Sequence, residues 1–251
     1  MNSEKPSSQA LSTKTYKGVR DFYPEDKRLQ RYLFSVLHSV SEKFGYEEYD
    51  ASILEPAELY EAKSGQEIVQ EQTYSFIDRG GRRVTLRPEM TPSLARMVAA
   101  KRKELLFPIR WYSIPNLFRY ERPQRGRLRE HWQLNCDLFG AKSVAADAEI
   151  ITLAYSIMQE LGADDSHFEI QINHRGLMHL LFSEMLGLSV EKAYALSKIL
   201  DKKAKISGKV FTEEVSDIVG EKTNQFLTLI DTKSIVAFKE MSGILKNTEE
   251  F

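Results

Sequence analysis

The most informative stretch of the chain is FRYERPQRGRLREHWQLNCD, residues 118–137. Two predicted strands, 109–121 and 127–139, flank the loop 122–126, whose proline and glycine are typical of a turn. Because side chains alternate between the two faces of a strand, the second strand separates into two sets. The polar set is Arg127, Arg129, His131, Gln133, Asn135 and Asp137, and the apolar set is Leu128, Trp132, Leu134, Cys136 and Leu138. The pattern predicts a hairpin with one core face and one polar face.

The residues leave two interpretations of the polar face open. It can be a solvated outer surface, where ion pairs contribute little to stability. It can also be a binding surface, since its cations are arginines and a planar guanidinium suits phosphate oxygens. Gln133, Asn135 and Asp137 are poor strand formers, but they can form hydrogen bonds with a small polar ligand.

Helices and strands are mixed on both sides of the hairpin. Apolar residues recur at three- and four-residue steps from 29 to 44, which predicts an amphipathic helix that ends at Gly45. We further predict strands at 46–54, 73–77, 83–86 and 168–173, and helices at 93–103 and 146–161. This mixture indicates an α+β fold for residues 16–176. Residues 177–251 are predicted to form a mostly helical, lysine-rich appendage, and residues 1–15 a disordered leader.

Composition limits the classes of partner. The formal net charge is −1, so a nucleic acid would have to be bound by local basic patches. The one cysteine, Cys136, cannot form an internal disulfide, which indicates a reducing compartment. No run approaches the ~18 apolar residues of a membrane span, and the histidines outside the hairpin lack the spacing of metal ligands. We therefore predict a cytoplasmic protein with no membrane partner and no protein-bound metal.

The hairpin resembles the second signature motif of the class II aminoacyl-tRNA synthetases, through residues 118–121 and 126–133. The stretches 17–24, 53–58 and 85–91 precede it in the order and spacing typical of the histidyl-tRNA synthetase family. Residues 199–203 also fit that family. The resemblance extends from Tyr16 to Ile206, and the combination of motifs is more specific than any of them alone.

The resemblance implies a class II synthetase-like antiparallel sheet flanked by helices. It implies an enzyme that joins histidine to ATP, with Mg²⁺, to form histidyl-adenylate and then transfers histidine to tRNA-His. It also implies a homodimer, with Pro56 in the interface as the proline of the first signature motif. Without the resemblance, Pro56 is as easily an ordinary strand terminator. Residues 177–251 resemble the start of an insertion domain that approaches the tRNA.

Four residues of the hairpin match the ATP-binding positions of the family. By resemblance, Arg119 is catalytic and contacts the α-phosphate, and Glu121 reads the adenine edge. Arg127 matches the arginine that reaches the distal phosphates. His131 stands where the family most often has a phenylalanine that stacks on adenine, and an imidazole offers less stacking area. Arg129 is expected to be a structural partner of a carboxylate.

Four other residues match histidine-binding positions. Glu89 and Thr91 correspond to the group that holds the α-amino group of the substrate, and Thr91, just before Pro92, can alternatively be a helix N-cap. Gln133 resembles a further substrate contact. Asp137 stands where many bacterial members have glutamate, and its carboxylate can accept a hydrogen bond from the imidazole.

Several family features have no match before Phe251. They are the histidine-specific segment that follows the insertion, the third signature motif and the anticodon-binding domain. We therefore expect an incomplete core, that is, an N-terminal fragment that is not active alone. The alternative function is the synthetase-like regulatory subunit of ATP phosphoribosyltransferase, although Arg119, Glu121 and Arg127 favour an ATP site. A prolyl or threonyl specificity fits the strand 133–137 less well.

Overall fold

The computed structural model describes residues 11–61, 72–172, 174–232 and 235–242. The chain forms two compact units that divide between Ile170 and Gln171, a few residues before the boundary predicted from the sequence. The first ten residues of the predicted leader lie outside the described part, and residues 11–15 are exposed and belong to no helix or strand. Of the described helices, none is long and apolar enough to cross a membrane.

The first unit begins with a long helix, α1, at Pro24–Lys43. Pro24 starts it in the conformation that proline favours, and Glu25 and Asp26 lie in the first turn, where the helix dipole favours negative charge. Gly45 follows at a φ of +80°, a value that glycine adopts without steric cost. The predicted amphipathic helix and its stop are confirmed.

The described residues of this unit also contain short strands and three further helices. The strands are β1 (Glu47–Glu48), β2 (Leu54–Pro56), β3 (Tyr74–Ile77), β4 (Arg83–Leu86), β5 (Ile109–Ser113), β6 (Asn116–Phe118), β7 (Glu130–Trp132) and β8 (Asn135–Phe139). The helices are α2 (Glu58–Glu61), α3 (Thr91–Lys101) and α4 (Val144–Glu160). The strands form sheets of order β1-β5-β8, β2-β4-β3 and β6-β7, antiparallel except for the parallel pair β1–β5. The predicted α+β class is confirmed.

The predicted hairpin is present, but its two long strands are each broken into two. β6 pairs with β7 from Asn116–Trp132 to Phe118–Glu130, and β5 pairs with β8 from Ile109–Phe139 to Ser113–Asn135. Pro115 lies at the break, where a residue without an N–H cannot donate to a ladder. Its carbonyl accepts the backbone N–H of Gln133 at 3.3 Å, which keeps the two halves in register.

One face of β5 and β8 packs on helices. Tyr46, Tyr112 and Leu153 are buried together there, with Cys136 packed against them. The opposite face is partly covered by α3, through a second cluster that contains Leu94 and Val98. The rest of that face is left to polar side chains. The strand predicted at 168–173 is wrong for residues 168–172, which are irregular because no described strand pairs with them, and residue 173 lies outside the described part.

The second unit is helical in its described residues, as the sequence predicts. It contains α5 (Arg175–Leu180), a π-helical turn (Leu181–Met185), α6 (Val190–Leu200), α7 (Gly208–Val219), α8 (Thr223–Ile230) and α9 (Ile235–Ser242), with 3₁₀ turns at Lys203–Lys205 and Gly220–Lys222. Its core includes Leu181, Leu196, Phe211, Val215 and Phe226. The clustered lysines Lys202, Lys203, Lys205 and Lys209 are exposed, and Lys203 forms an ion pair with Asp231.

Candidate active site

Arg119 is held rigidly at the end of β6. Its backbone N–H donates to the carbonyl of Arg129 at 2.8 Å, and its Nε donates to the carbonyl of Pro88 at 3.0 Å. Among the described residues, its two terminal nitrogens carry no hydrogen bond. A guanidinium that is fixed through Nε and offers its other nitrogens is suited to an anionic ligand.

His131 lies close enough to Arg119 to be affected by its charge. It sits in β7 opposite Leu117 and is half-buried. Burial lowers the pKa of His131, and the positive charge of Arg119 lowers it further. The imidazole is therefore neutral at physiological pH, which suits stacking on a base better than attraction of an anion.

Glu121 and Arg127 bind each other across the mouth of the hairpin. The Nη2 of Arg127 donates to Oε1 of Glu121 at 2.7 Å, and its Nε donates to Oε2 of the same carboxylate. The pair lines a cavity of about 330 Å³ together with Gln72, Tyr120, Arg122 and Gln124. The two residues predicted to read the adenine and the distal phosphates are thus adjacent and open onto one cavity.

The predicted alternation of faces is wrong at 128 and 129. Leu128 is exposed, whereas Arg129 is only 8% exposed. The reason is that residues 119–129 leave the regular ladder, and Gln124 and Arg127 pair with each other in a tight turn. The expected carboxylate partner of Arg129 is also wrong, because its Nε donates to the backbone carbonyl of Glu121 at 2.9 Å.

The segment 87–91 is anchored by Arg87, a residue to which the sequence assigned no role. Arg87 is 2% exposed. Its Nη1 donates to Oδ1 of Asp50 at 2.8 Å and to the carbonyl of Ala51 at 2.7 Å, and its Nε donates to the carbonyl of Asn116 at 3.0 Å. One buried side chain therefore ties this segment to the strand that carries Arg119. The signal available in the sequence was an arginine directly between a strand and a proline.

Glu89 and Thr91 follow Arg87 at the start of α3. Glu89 is half-buried, and its backbone carbonyl accepts the hydroxyl of Tyr60 at 3.3 Å. Thr91 is exposed and is the first residue of α3, whose N-cap is Met90. The alternative role of Thr91 as an N-cap is wrong, because the helix begins earlier than predicted. Its exposed hydroxyl lies two residues from the carboxylate of Glu89.

The next polar residues along the chain, Gln133, Asn135 and Asp137, lie just before or within β8. The Nε2 of Gln133 donates to Oδ1 of Asn135 at 2.7 Å. Burial raises the pKa of Asp137, so its carboxylate is destabilised where no partner compensates it. Asp137 lies opposite Trp111 in the ladder, as Asn135 lies opposite Ser113, so these four residues share one face of the sheet.

Buried polar atoms without a hydrogen-bond partner occur in the same sheet as Asp137. The hydroxyls of Tyr49 and Ser113 and the Nδ2 of Asn135 are buried and make no normal hydrogen bond among the described residues. Burial raises the pKa of Tyr49 to about 12, and the neighbouring Ser113 and Arg87 act in the opposite direction. Buried polar atoms without partners are uncommon, and these three belong to residues on or next to β1, β5 and β8.

The remaining predicted site residue, Pro56, lies apart from this face. It is exposed and pairs with Val84 in β2, an outer strand of its sheet. No group of three or more His, Cys, Asp or Glu side chains within the described residues is arranged to hold a metal ion. The hairpin therefore brings together Arg119 with His131, Glu121 with Arg127, and Gln133 with the strand of Asp137.

The chain is similar to known proteins along nearly its whole length. A sequence model of the histidyl-tRNA synthetase family matches residues 18–248. The histidine–tRNA ligase of Leptospira biflexa is 48% identical over 242 residues, which is 96% of this chain and 55% of that protein. The histidine–tRNA ligase of Thermoplasma volcanium is 44% identical over 202 residues, or 80% of this chain and 46% of that protein. The chain thus spans about half the length of the curated relatives it matches.

Solved structures show the same fold. The histidyl-tRNA synthetase of a Nostoc species superimposes with a TM-score of 0.80 at 24% identity, over 96% of this chain and 55% of that one. A Bacillus halodurans protein described as an ATP phosphoribosyltransferase regulatory subunit/histidyl-tRNA synthetase gives a TM-score of 0.79 at 24% identity, over 96% of this chain and 61% of that one. These likenesses support the fold alone. Because the family model and the sequence relatives cover nearly all of it, the chain belongs to the histidyl-tRNA synthetase family.

Proposed function

We propose that this chain is the ATP- and histidine-binding part of a histidine–tRNA ligase. Such an enzyme joins histidine to ATP to form histidyl-adenylate and pyrophosphate, and then transfers histidine to tRNA-His. The observation that carries the proposal is Arg119, which is fixed by two backbone carbonyls, is adjacent to a neutral His131 and offers its terminal nitrogens to a ligand. Family membership supports the same assignment.

Arg119 stabilises the charge that develops on the α-phosphate. When the histidine carboxylate attacks this phosphorus in line, negative charge grows on the phosphate oxygens while pyrophosphate leaves. A guanidinium already held in place stabilises that charge without reorganising at the moment of reaction. The bond between Nε and the carbonyl of Pro88 is the structural basis of this preorganisation.

The Glu121–Arg127 pair binds the two ends of ATP. Glu121 accepts a hydrogen bond from the amino group of adenine, Arg127 contacts the distal phosphates, and His131 stacks on the ring. Mg²⁺ accompanies ATP and is held largely by the phosphates, since this ion keeps several waters and binds few protein carboxylates. When bound, it supplies charge neutralisation at the leaving pyrophosphate.

The histidine substrate lies beyond the α-phosphate, on the Asp137 face. Glu89 and Thr91 hold its ammonium group, for which a carboxylate is the natural partner. Gln133 and Asp137 contact the imidazole of the substrate. Because Asp137 is partly buried, its carboxylate is stabilised by a hydrogen-bond donor such as that imidazole. This arrangement would discriminate histidine from amino acids without a side-chain donor.

The rest of the proposal concerns the assembly. Residues 16–176 act as the catalytic core and residues 177–251 as part of an insertion domain that approaches tRNA-His. The working protein is a homodimer that uses the strand containing Pro56, and it acts in the cytoplasm. Lys202 and Lys205, two exposed lysines of the second unit, are available for phosphate contacts.

Equilibrium binding by calorimetry tests the proposal directly. We expect this chain to bind ATP, and to bind histidine in preference to proline and threonine. Arg119→Gln is expected to weaken ATP binding about tenfold or more while histidine binding persists, because one charged hydrogen-bonding group is lost. The exposed loop residue Arg125, changed to Gln, is the matched control. A folded chain that binds neither ligand would contradict the proposal.

The second candidate is a regulatory subunit of ATP phosphoribosyltransferase. It is the alternative function suggested by the sequence, and the Bacillus halodurans protein that shares this fold is described by both names. The same titrations separate the two, because a histidine-sensing subunit binds histidine and does not need ATP. Histidine binding without ATP binding would support this candidate. Histidine-dependent ATP–pyrophosphate exchange by a protein that contains this chain would eliminate it, and we expect no exchange from the chain alone.

A further inference from the structure

We propose that Arg129 is a positioning residue. It holds the backbone at Arg119 and Glu121 in place against the N-terminal segment 16–18. The inference rests on the proposed function, because Arg119 and Glu121 are two of the predicted ATP-binding residues. In this role Arg129 positions the neighbouring backbone and does not bind a phosphate group. It also gives the segment 16–18 a part in nucleotide binding, although that segment contains no ATP contact.

Arg129 is bound to the segment on one side. Its backbone N–H donates to the carbonyl of Gly18 at 2.7 Å. Its Nη1 donates to the hydroxyl of Tyr16 at 3.3 Å and to the carbonyl of Lys17 at 3.5 Å. The guanidinium also lies 5.8 Å from the centre of the Tyr16 ring. Every residue of the segment therefore contacts this one arginine.

On the other side, Arg129 is bound to the strand that carries the site. Its Nε donates to the carbonyl of Glu121 at 2.9 Å, and its own carbonyl accepts the N–H of Arg119 at 2.8 Å. Its guanidinium lies over the ring of Tyr120, 4.2 Å from the centre, which adds a cation–π contact. The backbone positions of Arg119 and Glu121 are thus both set by Arg129.

Gly18 makes the close approach possible. Its φ is +89°, and a Cβ at this position would lie 2.8 Å from the Cδ of Arg129 and 2.9 Å from the Cγ of Pro123. Any side chain here would push the segment away from Arg129 and from the loop. A glycine is therefore required by both the backbone conformation and the space.

Burial distinguishes Arg129 from the neighbouring arginine of the same motif. Arg129 is 8% exposed, and its side chain donates hydrogen bonds to the carbonyls of Glu121 and Lys17 and to the hydroxyl of Tyr16. The side chain of Arg127 is 54% exposed and lines the cavity. A side chain that binds phosphate must be accessible to the nucleotide. The structure therefore assigns phosphate binding to Arg127 and positioning to Arg129.

The test compares two ligands and four variants of this chain. The variants are Arg129→Lys, Tyr16→Phe, Gly18→Ala and the exposed control Arg125→Lys. Because lysine lacks the planar fork, Arg129→Lys is expected to weaken adenosine and ATP binding by the same factor, about tenfold. Tyr16→Phe, a mild change at an exposed residue, is expected to weaken both about twofold to threefold. Gly18→Ala should resemble Arg129→Lys, and the control should match the wild type.

Amide hydrogen exchange of residues 119–127 provides a readout that needs no nucleotide. We expect faster exchange in Arg129→Lys and in Tyr16→Phe, and no change in the control. Loss of ATP binding with unchanged adenosine binding would make Arg129 a phosphate ligand and would overturn the proposal. Unchanged exchange in both variants would also overturn it. A wild-type chain that fails to bind ATP would refute the proposed function, while the exchange result would still decide the role of Arg129.

Discussion

The guanidinium of Arg127 and the carboxylate of Glu121 form a two-pronged ion pair, with Nη2 donating to Oε1 at 2.7 Å and Nε to Oε2. The Glu121 side chain is 8% exposed, whereas that of Arg127 is 54% exposed. The pair therefore has a buried acidic member and an exposed basic one. Under the proposed function, a nucleotide bound by both residues would separate them, and Arg127 would exchange one anionic partner for another.

Arg127→Ala should separate phosphate binding from adenine binding. ATP affinity is expected to fall about tenfold to a hundredfold, because a charged hydrogen-bond partner contributes about 1.5–3 kcal/mol. Adenosine affinity should stay the same or rise, since Glu121 no longer has a competing partner. Calorimetric titration of both ligands measures this, with Arg125→Ala as the control. An equal loss for both ligands would mean that Arg127 acts on the loop as a whole.

His131→Phe should flatten the acid side of the stability profile. Burial and then the charge of Arg119 lower the pKa of His131 in the folded state, so the unfolded chain takes up its proton first as the pH falls below about 6.5. The wild type therefore loses stability in that window, and phenylalanine removes this contribution. Thermal melts from pH ~7.5 to ~5 compare the two chains, and parallel curves would contradict the assignment. ATP binding should be retained, because phenylalanine also stacks.

The fold could be predicted where its causes are local. The spacing of apolar residues in α1 and the stop at Gly45 follow from periodicity and from a backbone that only glycine adopts easily. The strand predicted at 168–173 failed because a strand depends on a partner elsewhere in the chain. The break at Pro115 was visible as a proline, but its consequence for β5 and β6 required the register to be known.

The candidate site was likewise predictable where its causes are local and not where they depend on residues distant in the sequence. Resemblance marked Arg119, Glu121 and Arg127 as a group, and the hairpin does place the last two in contact. Strict alternation placed Arg129 on the polar face, but the turn near Gln124 takes it out of the ladder and buries it. The anchoring role of Arg87 depends on acceptors distant in sequence, which no local pattern could reveal.

Asp137→Asn should stabilise the chain at neutral pH and weaken histidine binding. Burial raises the folded-state pKa of Asp137 above its ordinary 3.8, so stability falls as the pH rises from that value through the raised pKa. The amide carries no charge and escapes this loss. Its melting temperature should therefore exceed that of the wild type at pH ~7, with the difference vanishing near pH ~3.8. A lower melting temperature at pH ~7 would show that the carboxylate has a compensating partner.

Arg87→Met should be among the most damaging single changes in the first unit. It leaves the carbonyls of Ala51 and Asn116 without a donor and removes the partner of Asp50. Leaving a buried acceptor without its donor costs about 1–3 kcal/mol, and the loss is expected to come from the two carbonyls, because the Asp50 side chain is 72% exposed and stays solvated. Urea unfolding measures the loss. Arg82→Met, which removes an exposed ion pair with Asp78, is the matched control and should cost less than about 1 kcal/mol.

Leu54→Lys should shift the predicted homodimer toward monomer. β2 is an outer strand, and Leu54, 41% exposed, lies beside the exposed Ile53 and two residues before Pro56. Because proline cannot donate to a partner strand, this edge must associate largely through apolar side chains, and a charged residue there must be desolvated. Light scattering at about 50 μM and at about 5 μM measures the mass of both chains, because dimer dissociation depends on concentration. Leu106→Lys, at an exposed loop leucine, should remain dimeric, and a monomeric wild type would refute the dimer.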